Sequence, residues 1–187
     1  MNSYHEIRLL PDPEFPATML MSALFAKLHR GLVEHGRGNI GISFPDVRDE
    51  AKTLGQRLRL HGTESELTRL MQSNWTRGIR DYVEIAQLAA IPAHARHRVV
   101  RRVQAKSSPE RLRRRLIVRK SLDANSARLA VPDSAARHLD LPYVVMASST
   151  TRQQFKLFIE HMPIRDDETD GSFSAYGLSA SATVPWF

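Results

Sequence analysis

Apolar and polar residues alternate over residues 6–10, where Ile7 and Leu9 interleave with Glu6 and Arg8. A period of two predicts a strand with one buried face. Pro11-Asp12-Pro13 stops it. The period then changes. Leu20, Leu24, Leu28 and Leu32 recur every four residues, and Met21 and Phe25 widen the stripe. Residues from Pro16 to about His35 are therefore expected to form one long amphipathic helix, ended by Gly36 and Gly38. Residues 40–44 read as a short strand stopped by Pro45. Residues 54–61 read as another, Leu58 and Leu60 alternating with Arg57 and Arg59. Thr63 and Glu66 have the spacing of a capping box, which opens a helix over residues 64–71. A last strand is expected over 81–88, before Pro92. The order β-α-β-β-α-β is that of the ferredoxin-like unit, a fold that serves many functions.

The second half is less regular. Residues 93–104 read as a basic linker or strand. Ser108 is placed as the cap of a helix, with Pro109 at its first position and Glu110 in its first turn, running to about Lys120. Residues 121–137 are polar and expected to be partly helical. Strands are expected at 143–146, 154–160 and 173–176, and an acidic loop at 165–171. The fold class is α+β. A ferredoxin-like domain spans residues 1–93. A C-terminal α/β region spans 94–187, with a linker over 94–107 and an arginine-rich helix over 108–120.

Charge sharpens this picture. The net formal charge of +7 is not spread evenly. Residues 1–93 are neutral overall, residues 94–120 carry +10 with Glu110 their one acid, and residues 121–187 carry −3. One short block holds the whole excess, which points to a polyanionic partner. The chain has no cysteine, so disulfides, thiolate chemistry and cysteine-based zinc sites are excluded. No apolar stretch approaches the roughly 20 residues that span a bilayer, and the first residues lack a basic start followed by an apolar run. A cytoplasmic protein without membrane association is expected.

On an ideal helix, at about 100° per residue, Leu112 and Leu116 fall on one side of 109–120. Arg111, Arg114, Arg115 and Arg119 are assigned to the broad opposite face. Such a helix buries its leucines and presents a row of guanidinium groups, whose planar forks suit phosphate oxygens. Charge alone does not separate RNA from DNA.

Arg102-Val103-Gln104-Ala105-Lys106-Ser107, followed by Pro109-Glu110-Arg111-Leu112-Arg113-Arg114-Arg115-Leu116, resembles the linker and arginine-rich helix of the type I-F CRISPR-associated endoribonucleases. Pro11-Asp12-Pro13-Glu14-Phe15-Pro16 is similar to that family's opening loop. Asp140-Leu141-Pro142, Tyr176-Gly177 and Val184-Pro185-Trp186-Phe187 are similar to its second half. The resemblance covers essentially the whole chain. Val118 stands in the arginine face where the family pattern has a further arginine.

The resemblance implies an enzyme that binds a stem-loop in the CRISPR repeat transcript and cuts at the 3′ base of the stem. It also implies that the mature guide RNA is retained, and that the enzyme, a monomer with its RNA, enters the type I-F surveillance complex with that complex's other subunits. RNA brings its own nucleophile, the 2′-hydroxyl beside each phosphate, so no metal or cofactor is expected. Under the resemblance His29 is the catalytic histidine, since imidazole exchanges a proton near neutrality. Ser148 fixes the attacking hydroxyl, a role its donor-and-acceptor side chain allows, and Tyr176 orients the histidine. Phe155 stacks on the terminal base pair of the stem. Arg102 and Gln104 read purine edges, guanine and adenine respectively. Lys106, Ser107, Arg111, Arg114, Arg115, Arg119 and Thr150 complete the RNA-binding set. Three rival readings follow from the residues. One is a non-catalytic RNA-hairpin-binding subunit in which His29 is an ordinary helix residue. The second is a DNA-binding regulator using the basic helix. The third, a metal-dependent nuclease, has no His-Cys cluster and no acidic constellation in the sequence to support it.

Overall fold

The computed structural model describes residues 1–48, 50–104, 109–132, 139–148 and 151–187. Contacts divide the chain into two compact units. The first comprises Met1–Val103 with Leu141–Phe187, and the second Gln104–Asp140. They fall elsewhere than the expected boundary at residue 93, because residues 141–187, the last quarter of the chain, return to residues 1–103. The terminal strand pairs Val184, Pro185 and Trp186 with Arg98, His97 and Arg96.

In the first unit, β1 (Ser3–Leu9) is followed by α1 (Ala17–His35), β2 (Gly41–Ser43), β3 (Arg57–Gly62), α2 (Glu64–Gln72), β4 (Val83–Ile85) and β5 (Ala89–Ala90). Then come β6 (Arg96–Arg98), β7 (Val100–Val103), β8 (Tyr143–Ala147), β9 (Gln154–His161) and β10 (Val184–Trp186). One sheet has the order β2-β3-β1-β4, with β5 also pairing β1. Each of these pairings is antiparallel. A second sheet has the order β7-β9-β8, and β10 pairs β6. The architecture is mixed α and β.

The four-residue leucine stripe packs α1 as expected. Leu20, Met21, Leu24, Phe25, Leu28 and Leu32 are buried, together with Ile7 and Leu9 of β1, Leu58 and Leu60 of β3, and Leu67 and Leu70 of α2. Burying one such side chain contributes about 1.5–3 kcal/mol. The capping box forms on one side only. Thr63 Oγ1 accepts from the Glu66 amide at 3.3 Å, while the Glu66 carboxylate pairs with Arg69.

Three expectations change. The strand over 173–176 is a tight turn. The Gly177 amide donates to the Ser174 carbonyl at 2.8 Å, and Ser174 donates back to Leu178 at 2.9 Å. Gly177, at φ +69°, occupies the left-handed region that reverses the chain. The strand over 81–88 shortens to Val83–Ile85, preceded by a single 3-10 turn over Arg80–Tyr82. The strand at 54–61 begins only at Arg57, and it is not half-exposed. Arg59 is 8% exposed: its Nε donates to Glu6 Oε2 at 2.6 Å, its Nη1 donates to the Phe187 carbonyl, and its guanidinium lies 4.0 Å from the Phe187 ring centroid. Tertiary partners neutralise and cover a charge that strand alternation assigns to solvent.

In the second unit, α3 (Pro109–Lys120) and α4 (Ala124–Ala130) pack together. Leu112 and Leu116 are half-buried. Arg114, Arg115 and Arg119 are exposed, and Val118, 77% exposed, stands among them. Arg113 turns the other way, its Nε donating to the Val131 carbonyl at 2.8 Å. Asp123 caps α4 by accepting from the Asn125 and Ser126 amides. No helix among the described residues is long and apolar enough to cross a membrane.

Candidate active site

Phe25 and His29 are one helical turn apart, so both project from the same face of α1. The Ser174–Leu178 turn lays the Tyr176 ring against both. Tyr176 stacks on His29 with centroids 4.1 Å apart and planes 15° apart, and on Phe25 at 6.2 Å and 13°. The same turn supplies the second constraint on the imidazole. His29 Nδ1 lies 2.8 Å from the Ala175 carbonyl oxygen. A carbonyl only accepts, so Nδ1 carries the proton and Nε2 holds the free lone pair. Stack and hydrogen bond together fix both the plane of the ring and its tautomer. His29 is half-buried.

Arg102 extends the row. Its guanidinium carbon lies 5.3 Å from the Tyr176 centroid and 5.9 Å from that of Phe155, within cation–π range. Register explains why Arg102 rather than its neighbour occupies this position. Arg101 pairs with Glu160 across β7 and β9, with Nε–Oε2 at 2.7 Å, and successive side chains leave a strand on opposite faces. Phe155 is half-buried on β9, so it faces its surroundings as well as the core. A pocket of about 270 Å³ beside the stack is lined by Arg102, Ser174, Tyr176 and Ser179, among others.

Ser148 stands apart from this row, in the turn that joins β8 to β9. Its amide donates to the Gln153 carbonyl at 2.9 Å, and its own carbonyl accepts from Arg152 at 2.9 Å. Its Oγ accepts from the Thr151 amide at 3.2 Å, which leaves the hydroxyl hydrogen to donate. The turn closes through Arg152, at φ +56°. No hydrogen bond among the described residues joins Ser148 to His29. What links the two elements is Ser22 on α1, whose Oγ accepts from the Val145 amide of β8 at 3.1 Å while donating to the Thr18 carbonyl at 2.8 Å.

The remaining expected contacts divide simply. Gln104 is exposed, and Arg114, Arg115 and Arg119 form an exposed face in the second unit. Lys106, Ser107 and Thr150 lie outside the described residues, as does the Arg111 side chain. Among the described residues no three of His, Cys, Asp and Glu cluster as metal ligands would.

Sequence reading missed the Ala175 carbonyl, Phe25 as part of the stack, and the function of Gly177. A backbone carbonyl has no sequence signature. The Phe25–His29 spacing was a usable signal, since two rings at i and i+4 on one helix face can share a partner. For Gly177 the reason is steric. A Cβ there would lie 2.6 Å from Ile42 Cγ2, and the positive φ strains any other residue. Gly177→Ala is expected to destabilise the protein by about 1–3 kcal/mol, because the turn that holds the imidazole must move. Thermal unfolding measures the effect, and an unchanged midpoint would show that the turn tolerates a Cβ.

The sequence carries the same relationship over its whole length. The family described as CRISPR-associated protein (Cas_Csy4) matches residues 4–187. A "CRISPR-associated endonuclease Cas6/Csy4" from Pseudomonas aeruginosa (strain UCBPP-PA14) is 48% identical over 187 residues, covering all of both chains. Its counterpart from Escherichia coli (strain UTI89 / UPEC) is 47% identical, again over the full length of both. Among solved structures, "An RAMP protein binding different RNA substrates" overlaps 98% of the chain and 100% of its own at 10% identity, with a TM-score of 0.38. A family model that matches residues 4–187 and near-half identity to two relatives over their full length agree: the chain belongs to the Csy-type Cas6 family of CRISPR-associated endoribonucleases.

Proposed function

We propose that this protein processes precursor CRISPR RNA. It binds the repeat stem-loop and cuts at the 3′ base of the stem by attack of the adjacent 2′-hydroxyl, without a metal. The observation that carries this reading is the clamp on His29. With Nδ1–H committed to the Ala175 carbonyl, Nε2 is the atom that takes the proton from the 2′-hydroxyl. The 2′-oxygen then bonds to phosphorus, and the P–O5′ bond breaks. The leaving 5′-oxygen takes the bonding pair and is protonated from water. The products are a 2′,3′-cyclic phosphate and a 5′-hydroxyl.

The other residues serve this step. Tyr176 holds the imidazole plane by stacking on it. Ser148 donates its remaining hydroxyl hydrogen to position the attacking sugar. Phe155 stacks on the terminal base pair, and Arg102 and Gln104 read purine edges next to it. Lys106, Ser107, Arg111, Arg114, Arg115, Arg119 and Thr150 hold phosphates and sugars of the stem. The catalytic histidine thus comes from residues 1–93 and the RNA contacts from 94–187, a division of labour along the chain rather than between compact units. The strand order β2-β3-β1-β4, with helices between β1 and β2 and between β3 and β4, supports assigning a ferredoxin-like arrangement to the first of these segments. The protein acts in the cytoplasm, retains the mature guide, and joins the other subunits of a type I-F surveillance complex as a monomer with its RNA.

The test is cleavage of a type I-F repeat RNA in EDTA, beside the same RNA with a single 2′-deoxy substitution at the nucleotide before the cut. One cut at the stem base, a cyclic phosphate on the 5′ fragment, and no cut in the deoxy RNA are expected. Activity abolished by EDTA, or persisting in the deoxy RNA, rules the mechanism out.

A further inference from the structure

The step through His29 moves a proton, and it also gathers charge at phosphorus. As the 2′-oxygen bonds to phosphorus and the 5′-oxygen leaves, the non-bridging oxygens of the phosphate become more negative. A cation fixed beside them lowers the barrier. His29, Tyr176 and Ser148 bring no fixed cation to those oxygens.

The turn that carries Ser148 has one. The Arg152 amide donates to the Ser148 carbonyl at 2.9 Å, and the Ser148 amide donates to the Gln153 carbonyl at 2.9 Å. Ser148 and Arg152 are thus the two ends of one turn, held backbone to backbone. Arg152 lies in the left-handed region at φ +56°, where a side chain costs energy that glycine avoids. Of the four non-glycine residues with positive φ among the described residues, it alone shares a turn with a candidate catalytic residue. Strain of this kind collects at functional sites. The Arg152 side chain is exposed, and among the described residues its guanidinium has no hydrogen bond or ion pair. From Tyr143 to Ile159 the only charged residues are Arg152 and Lys156, and residues 17–33 and 172–187 contain no acid. The segments that carry His29, Ser148 and Tyr176 therefore offer no carboxylate to compete for the guanidinium. Lys156 is engaged elsewhere on the hairpin, its Nζ 4.2 Å from the Tyr143 ring centroid.

We propose that Arg152 binds the scissile phosphate and neutralises the charge that develops on it. The assignment rests on the endoribonuclease reading given above. The attacking 2′-oxygen and the phosphorus it attacks belong to one ribose–phosphate step. A turn that holds the hydroxyl through Ser148 at one end brings the phosphate to the guanidinium at the other. The planar fork of arginine matches two phosphate oxygens at once. The same contact holds the cyclic phosphate of the product, which keeps a negative charge after the 5′-oxygen has left.

The full-length protein is tested by single-turnover cleavage of the repeat RNA in EDTA, and by binding to two hairpins that end at the cut. One hairpin ends in a 3′-hydroxyl and the other in a 2′,3′-cyclic phosphate. Arg152→Gly is expected to cut about tenfold more slowly and to bind the phosphate-ended hairpin about tenfold more weakly. It should bind the hydroxyl-ended hairpin as wild type does. Its unfolding midpoint should be no lower than that of wild type, because glycine relieves the backbone. Arg152→Asn, which also tolerates positive φ, should behave alike, and Arg152→Lys should recover part of the loss. Lys156→Gln removes an equal charge from the same hairpin and should change neither rate nor affinity to that extent. Equal losses on both hairpins, or equal losses in Lys156→Gln, overturn the assignment, the cation then acting on the stem or through the general field. An unchanged rate and affinity in Arg152→Gly make Arg152 a solvated side chain and leave the endoribonuclease reading standing. A wild type that binds the repeat and never cuts it overturns both.

Discussion

Replacing His29 by alanine is expected to lower the cleavage rate by about 10²–10⁴-fold, the usual contribution of a positioned general base, with hairpin binding retained. Alanine is the best helix former, and His29 is half-buried near the end of α1 rather than in the leucine stripe. The helix should therefore survive the change. What disappears is the Nε2 lone pair, which the Ala175 carbonyl had made available by engaging Nδ1–H. Hairpin affinity and thermal unfolding, measured beside the single-turnover rate, separate this role from a structural one: the rate falls while both of the others hold. A variant that cuts as fast as wild type would remove His29 from the mechanism. A wild type that binds the hairpin tightly and never cuts it would make the chain an RNA-binding subunit.

The second large effect is on stability in acid. Two histidines are held neutral in the folded protein. His61 is fully buried, and burial, followed by the nearby Arg59 charge, lowers its pKa to about 3. Burial, followed by Arg98, lowers that of His161 to about 3 as well. In the unfolded chain both titrate near 6.5. Between those limits the unfolded state binds more protons, so lowering the pH favours unfolding. Stability from these two groups is complete above about pH 6.5. It is lost as the pH falls toward about 3, at about 1.4 kcal/mol per pH unit for each histidine. Urea unfolding midpoints from neutral pH downward should show this slope.

His161→Phe tests half of it. Neither ring nitrogen of His161 has a hydrogen-bond partner among the described residues, and the ring packs edge-on against Phe44 at 6.0 Å and Trp186 at 5.7 Å. A phenyl ring suits that setting and leaves no buried polar atom unsatisfied, a defect worth about 1–3 kcal/mol. The variant is expected to be at least as stable at neutral pH and to lose one proton's share of the acid slope. An unaltered slope would show that His161 takes up its proton alike in the folded and unfolded states. His61 does not permit so clean a swap, because its Nε2 is 2.7 Å from Ser43 Oγ.

Legibility differed between elements for physical reasons. Helix α1 was readable to within a residue at its start, since a stripe recurring every four residues over many turns has few alternative explanations. The basic helix was equally plain, with Leu112 and Leu116 half-buried and Arg114 and Arg115 exposed. Arg119 lies seven residues after Leu112, on the leucine side of the helical wheel, yet at the end of α3 it too is exposed. Phe173–Tyr176 misled because two aromatics three apart in a short apolar run suit a strand. The deciding residue was Gly177, whose positive φ turns the chain back on itself. Strand β10 went unread, and β6 was read only as part of a basic linker or strand over 93–104, because neither is long enough to show a period. They exist through their pairing, 86 or more residues apart in the chain for Arg98 and Val184. Arg59 shows the same limit within a strand that was read. Its burial depends on Glu6 and Phe187, which lie on other segments.

For the site, residue identity came from local pattern and family resemblance, and function from three-dimensional convergence. The sequence alone carries the helix that bears His29, the block of charge that seeks a polyanion, and the kinship that names the candidate residues. Each is written in neighbouring positions and so follows from local periodicity and composition. The structure alone supplies the carbonyl of Ala175, the ring of Tyr176 and the guanidinium of Arg102 around that histidine. These groups come from segments 146, 147 and 73 residues away. Which imidazole nitrogen is free to act is a property of that convergence, because a tautomer is chosen by the partner it meets and not by the residues beside it in the chain.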